Sequence, residues 1–116
     1  MDRESQIMLA ARERCLSLPE CRETGSWGHP NFRAGKRTYV TFEWIQGRPS
    51  IAFRVGAADV ERLLGRKGSF LTPYGRGQWV SLWADGRVSW KLVASLIEQS
   101  YRTVALKGMI AILDGT

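Results

Sequence analysis

The sequence predicts an α+β fold of two layers, an antiparallel five-stranded sheet with helices packed on one face. Three observations predict it. Stretches in the middle of the chain repeat their apolar residues with a period of two. Stretches near both ends, and one between the strands, repeat theirs at helical spacing. The connections between strands are too short for parallel crossovers, so neighbours pair antiparallel. The helices must then cover one face to close a core. The length, 116 residues, suits a single domain with no linker or internal repeat.

Residues 4–17 read as the first helix, with Ile7, Ala11, Cys15 and Leu18 along one stripe and Met8 and Leu16 beside it. Pro19 ends it by pushing Leu18 out of the α region. Residues 24–30 read as a loop leading into a short strand at 31–34. A turn at Ala34, Gly35 and Lys36 follows. Residues 37–45 alternate, Val40, Phe42 and Trp44 on one face against Thr41 and Glu43 on the other. A second turn spans 46–49, and 50–55 alternate again through Ile51, Phe53 and Val55. Residues 57–66 form a second helix carrying Val60, Leu63 and Leu64. Residues 69–71 make a short strand, 72–77 an exposed loop, and 78–84 a strand with Val80, Leu82 and Ala84 opposite Trp79, Ser81 and Trp83. Ser89 caps a long helix whose apolar face is Trp90, Val93, Ile97, Tyr101 and Val104. The tail at 109–113 is apolar enough to pack as a final turn or helix. The order is α-β3-α-β2-α.

No run of about 18 apolar residues is present, which argues against a membrane span. The charged start of the chain does not read as a signal peptide, so a cytoplasmic protein is expected, and a bacterial origin fits the composition. The two cysteines, Cys15 and Cys21, do not make a disulfide framework. With His29 as the one histidine, no metal site and no cofactor are expected.

Catalytic patterns are missing. There is no nucleophile elbow around any serine. Cys21 or Cys15 with His29 is the possible nucleophile–base combination, Cys21 lying eight residues before His29, and a packed loop thiol beneath Trp27 is the favoured reading for Cys21. The few acids beyond residue 23 fit caps, turns and solvated faces. The glycine pairs Gly65/Gly68 and Gly75/Gly77 lack a phosphate-binding context. The chain therefore reads as non-enzymatic.

Charge and aromatics carry more. Residues 1–23 hold four bases against five acids, and residues 24–116 hold thirteen bases against six acids. Positive charge on the body of a domain attracts polyanions. Arg33, Lys36 and Arg37 flank the first turn and Arg48 the second, the pattern of a basic-tipped ribbon that tracks phosphates. Arg54 and Arg76 extend this nucleic-acid-binding set. The plain alternative is that turn cations keep strands soluble. Of five tryptophans, Trp44, Trp83 and Trp90 fit the core, while Trp79 fits either the core or a stacking surface.

The blocks Ser26-Trp27-Gly28-His29-Pro30-Asn31-Phe32-Arg33, Gly35-Lys36, Thr72-Pro73-Tyr74-Gly75 with Trp79-Val80, and Ser100-Tyr101-Arg102-Thr103-Val104-Ala105-Leu106-Lys107 resemble the MmcQ/YjbR family. The resemblance runs over nearly the whole chain. Leu106 departs from it, since the family more often has proline there. The resemblance implies the same α-β3-α-β2-α domain and DNA binding, by likeness to a double-wing DNA-binding domain. It brings no catalytic residues. The same fold resembles small secretion chaperones, which bind proteins. Trp27, His29, Phe32, Tyr74, Trp79 and Tyr101 occupy motif positions, where they either line a shared pocket or hold long loops onto the sheet. For His29 a loop-locking bond from imidazole to backbone is the favoured role.

Three functions follow in order: DNA binding through the basic hairpin tips, a protein-binding or chaperone-like surface on the open sheet face, and a small-molecule pocket around Trp27, His29, Tyr74 and Trp79. A monomer or weak homodimer is expected, with no membrane partner.

Overall fold

The computed structural model describes residues 4–26, 29–73 and 75–115. Helix α1 is Gln6–Leu16, capped by the Ser5 hydroxyl, which accepts from the Met8 amide at 3.2 Å. Four strands follow, β1 (Cys21–Ser26), β2 (His29–Ala34), β3 (Arg37–Ile45) and β4 (Arg48–Arg54). Helix α2 (Ala57–Leu64) leads to β5 (Ser69–Leu71) and β6 (Trp79–Trp83), and α3 (Trp90–Val104) and α4 (Lys107–Asp114) complete the chain. The sheet has six strands in the order β1-β2-β3-β4-β6-β5, every pair antiparallel.

The two-layer α+β class is as expected, but the sheet gains a sixth strand and the order becomes α-β4-α-β2-α-α. The extra strand is β1, whose residues 24–26 fall in the stretch that sequence reading takes as loop. Cys-Arg-Glu-Thr-Gly-Ser has no apolar alternation, and its extended form comes from pairing with β2, from Cys21 opposite Ala34 to Ser26 opposite His29.

The predicted turns are found. Gln46 and Gly47 both have positive φ (52° and 81°), the pair of left-handed residues that matches a two-residue hairpin to strand twist. The register slips between Phe32 and Arg33 of β2, so that Tyr39 is an extra residue in β3. This bulge lets Tyr39 and Val40, neighbours in sequence, both bury their side chains fully.

The core lies on one face of the sheet. Phe32, Val40, Phe42, Ile51, Phe53, Val80 and Leu82 meet Met8, Ala11 and Cys15 of α1, Val60 and Leu63 of α2, and Val93, Leu96, Ile97, Tyr101 and Val104 of α3. Trp90 departs from its expected face, being exposed at the start of α3, and Leu16 is exposed as well. The Ser89 cap holds, accepting from the Leu92 amide at 3.2 Å. Leu106, where the family more often has proline, sits extended at the start of α4, and α3 has already ended at Val104. Tyr39 and Tyr101 meet edge to face with centroids 5.5 Å apart. The Tyr101 hydroxyl donates to the Pro19 carbonyl at 2.6 Å and that of Tyr39 to the Cys15 carbonyl at 3.3 Å. These bonds tie the segment after α1 to α3 and the sheet. Among the described residues no helix is long and apolar enough to cross a membrane.

Candidate functional site

Strand alternation sends every second side chain to the face opposite the core. Pairing arranges these residues in three rows across the sheet. The middle row runs in register through Thr24, Asn31, Thr41, Ala52, Ser81 and Phe70. The row nearest the β2–β3 turn contains Arg22 opposite Arg33 and, beyond the bulge, Arg54 opposite Trp79. The far row contains His29, then Glu43, Ser50 and Trp83 in register.

The floor of this face is small. Ser50, Ala52 and Ser81 are buried beneath larger neighbours. The loop between β5 and β6 folds over one side, where the Thr72 and Ser81 hydroxyls bond at 2.8 Å. Gly75 permits the approach, since a Cβ there would stand 2.7 Å from the Trp79 Cβ and 3.2 Å from the Thr72 carbonyl. The result is a cleft of about 250 Å³ walled by Thr41, Glu43, Trp79, Thr72 and Pro73 over Ala52. Trp79 is half-buried and belongs to this face rather than to the core.

Polar atoms here are left over. Among the described residues, five buried side-chain atoms lack a hydrogen-bond partner, and four lie on this face: Thr24 Oγ1, His29 Nδ1, Arg33 Nε and Arg54 Nε. The Arg54 Nη2 does donate to Gln78 Oε1 at 3.0 Å. Burial raises the Glu43 carboxyl above the ordinary carboxylate range, and the charge of His29 opposes that rise.

The expected nucleic-acid set divides. Arg33 and Arg54 stand half-buried in the near row, with Lys36 and Arg37 exposed at the adjoining turn and Arg76 exposed in the loop before Trp79. None of the five has an ion pair among the described residues. Arg48 lies at the opposite end of the sheet and is engaged there. It binds Asp85 through Nε at 2.8 Å and Nη2 at 3.2 Å, and its guanidinium lies 3.8 Å from the centre of the Trp83 ring. Trp83, expected in the core, stacks on this face between Arg48 and Phe70, 4.4 Å from the latter.

The expected pocket set divides too. Phe32 and Tyr101 are fully buried in the core on the other side of the sheet and cannot line this cleft. His29 makes no hydrogen bond to backbone among the described residues, and its ring stacks against Trp44 at 6.3 Å instead. Trp27 and Tyr74 lie outside the described residues. Cys21 belongs to the core side, 3.0 Å from the Tyr39 hydroxyl, and pairs with Ala34 while His29 pairs with Ser26 at the other end of the hairpin. The two therefore form no nucleophile–base pair. Burial raises both thiols, which disfavours the reactive thiolate. No cluster of three metal-binding side chains exists among the described residues.

Sequence reading placed Thr41 and Glu43 opposite the core without naming them as site residues, and it missed Arg22, Thr24 and Asn31 as members of the face. The alternation at Thr41 and Glu43 is legible in the sequence and marks them as opposite the core. Arg22 and Thr24 depend on a strand that only pairing reveals.

A family model described as YjbR matches residues 16–103. No curated protein matches the sequence significantly. Among solved structures, a Deinococcus radiodurans protein with a DUF419 domain is similar at 22% identity, covering 92% of this chain and 83% of that one with a TM-score of 0.73. A Pseudomonas syringae structural-genomics protein is similar at 18% identity, covering 89% of this chain and 98% of that one with a TM-score of 0.69. These likenesses support the fold. The chain belongs to the YjbR family.

Proposed function

We propose that this chain is a non-enzymatic nucleic-acid-binding domain that holds the phosphate backbone at the near end of its open sheet face. One observation carries the reading. Among the described residues, Arg22, Arg33, Lys36, Arg37, Arg54 and Arg76 gather around one end of the sheet without carboxylate partners, whereas Arg12, Arg14, Arg48, Arg62 and Arg102 are engaged in ion pairs elsewhere. The other unpaired cations, Arg66, Lys67, Arg87, Lys91 and Lys107, are spread over the loops and helices outside this group. Free guanidinium and ammonium groups on one surface attract a polyanion and displace its counterions. The expected basic hairpin tip is kept and Arg48 is dropped from it. A chaperone-like surface draws less support, because among the described residues the exposed large apolar side chains Leu9, Leu16, Leu64, Trp90, Leu106 and Ile112 lie on or beside helices, and Leu71 alone lies on the sheet, in the edge strand β5.

The test is fluorescence anisotropy with labelled single-stranded and duplex DNA across a salt series. Wild type is expected to bind, with log affinity falling against log salt by about 0.7 to 0.9 per phosphate contacted. The Arg33/Lys36/Arg37→Ala triple variant is expected to bind weakly with a shallower slope, and Arg48→Ala to bind like wild type. Wild type that fails to bind either DNA at low salt sinks the proposal.

A further inference from the structure

The cleft beside the arginines has a chemistry of its own. At about 250 Å³ it falls below the roughly 300–1,000 Å³ of pockets that enclose drug-sized ligands, so it suits one ring system. One wall is the Trp79 indole, a flat apolar surface of the kind on which bases stack. Glu43 lines the cleft too; among the described residues its carboxyl makes no side-chain hydrogen bond, and the charge of His29 acts on it. In its ionised form that carboxyl repels phosphate and leaves an anionic backbone to the cations. Those cations are placed to take it. Arg54 pairs directly with Trp79 across β4 and β6, Arg33 stands beyond the bulge, and the Nε of each is unpartnered.

We infer that the cleft accepts a single unpaired nucleobase carrying an exocyclic amino group, stacked on Trp79 and donating to Glu43, while Arg33 and Arg54 hold the flanking phosphates. This deepens the nucleic-acid reading and rests on it. A duplex cannot use such a recess, because its bases are stacked inside and show only their edges in the grooves. A base must be unpaired or turned out to enter. Cytosine offers its N4 hydrogens and adenine its N6 hydrogens to a carboxylate. Thymine offers N3–H between two carbonyl oxygens, which the carboxylate repels.

Anisotropy with short oligo-dC, oligo-dA, oligo-dT and duplex DNA, at one salt concentration, tests the inference. Wild type should favour oligo-dC and oligo-dA over oligo-dT by about tenfold, the value of one good side-chain contact to a base. It should also favour single strands over duplex. Trp79→Leu should lose about tenfold on oligo-dC and leave duplex binding unchanged, and Trp79→Phe should recover most of that loss. Glu43→Gln, whose amide both donates and accepts, should erase the preference over oligo-dT. If Trp79→Leu does not fold by thermal denaturation, Trp79→Phe and Glu43→Gln carry the test. Equal binding to all four DNAs, insensitive to Glu43→Gln, overturns the base site and leaves the phosphate reading standing. No binding to any DNA at low salt overturns both.

Discussion

On the helix-covered side of the sheet the Tyr39 hydroxyl reaches the Cys15 carbonyl and the Cys21 sulfur, and the Tyr101 hydroxyl reaches the Pro19 carbonyl. Among the described residues one buried polar atom on that side, Ser100 Oγ, lacks a partner. On the open side four do, in Thr24, His29, Arg33 and Arg54. An unsatisfied buried polar group costs about 1–3 kcal/mol. The covered side thus pairs its buried polar groups within the chain more completely than the open side does.

That contrast can be broken most forcefully at Phe42, which is fully buried against Phe32 with ring centroids 5.0 Å apart. Phe42→Ala is expected to lower unfolding free energy by about 3–5 kcal/mol in urea titration. A loss near zero would mean the covered side is not the stabilising one. Tyr101→Phe removes a single hydroxyl and leaves the Pro19 carbonyl without that donor. Its expected cost is about 1–2 kcal/mol by the same titration. The smallest effect is the most telling, because its sign is reversed. Thr24→Val keeps the shape and deletes an unsatisfied oxygen, so stability should hold or rise by up to about 1 kcal/mol. A clear loss at Thr24 would erase the distinction between the two sides.

The distinction was half legible in the sequence. Period-two alternation placed Val40, Phe42, Ile51 and Phe53 on one side, and helical spacing placed Val93, Ile97, Tyr101 and Val104 against them. The same arithmetic already excluded Tyr101 from an open-face pocket. It also separates His29 from Phe32, which stand three residues apart on one strand and so face opposite ways. A motif gathers residues by sequence order, and a strand sorts them by parity. What no local pattern could supply was long-range. β1 is extended because β2 is beside it, and Arg48 is silenced by Asp85, thirty-seven residues away. At the level of sequence Arg48 and Arg37 look alike, each a cation beside a turn.

The two borders of the sheet carry a last consequence. A sheet grows by offering a long, flat, apolar border to the next strand. Here one border is β1, with Arg22 and Glu23 exposed along it, and the other is β5, only three residues long. A second copy aligning on either meets charge on one side and too few backbone partners on the other. Concentrated solutions of this chain should therefore stay dispersed where sheets with apolar borders stack into ribbons.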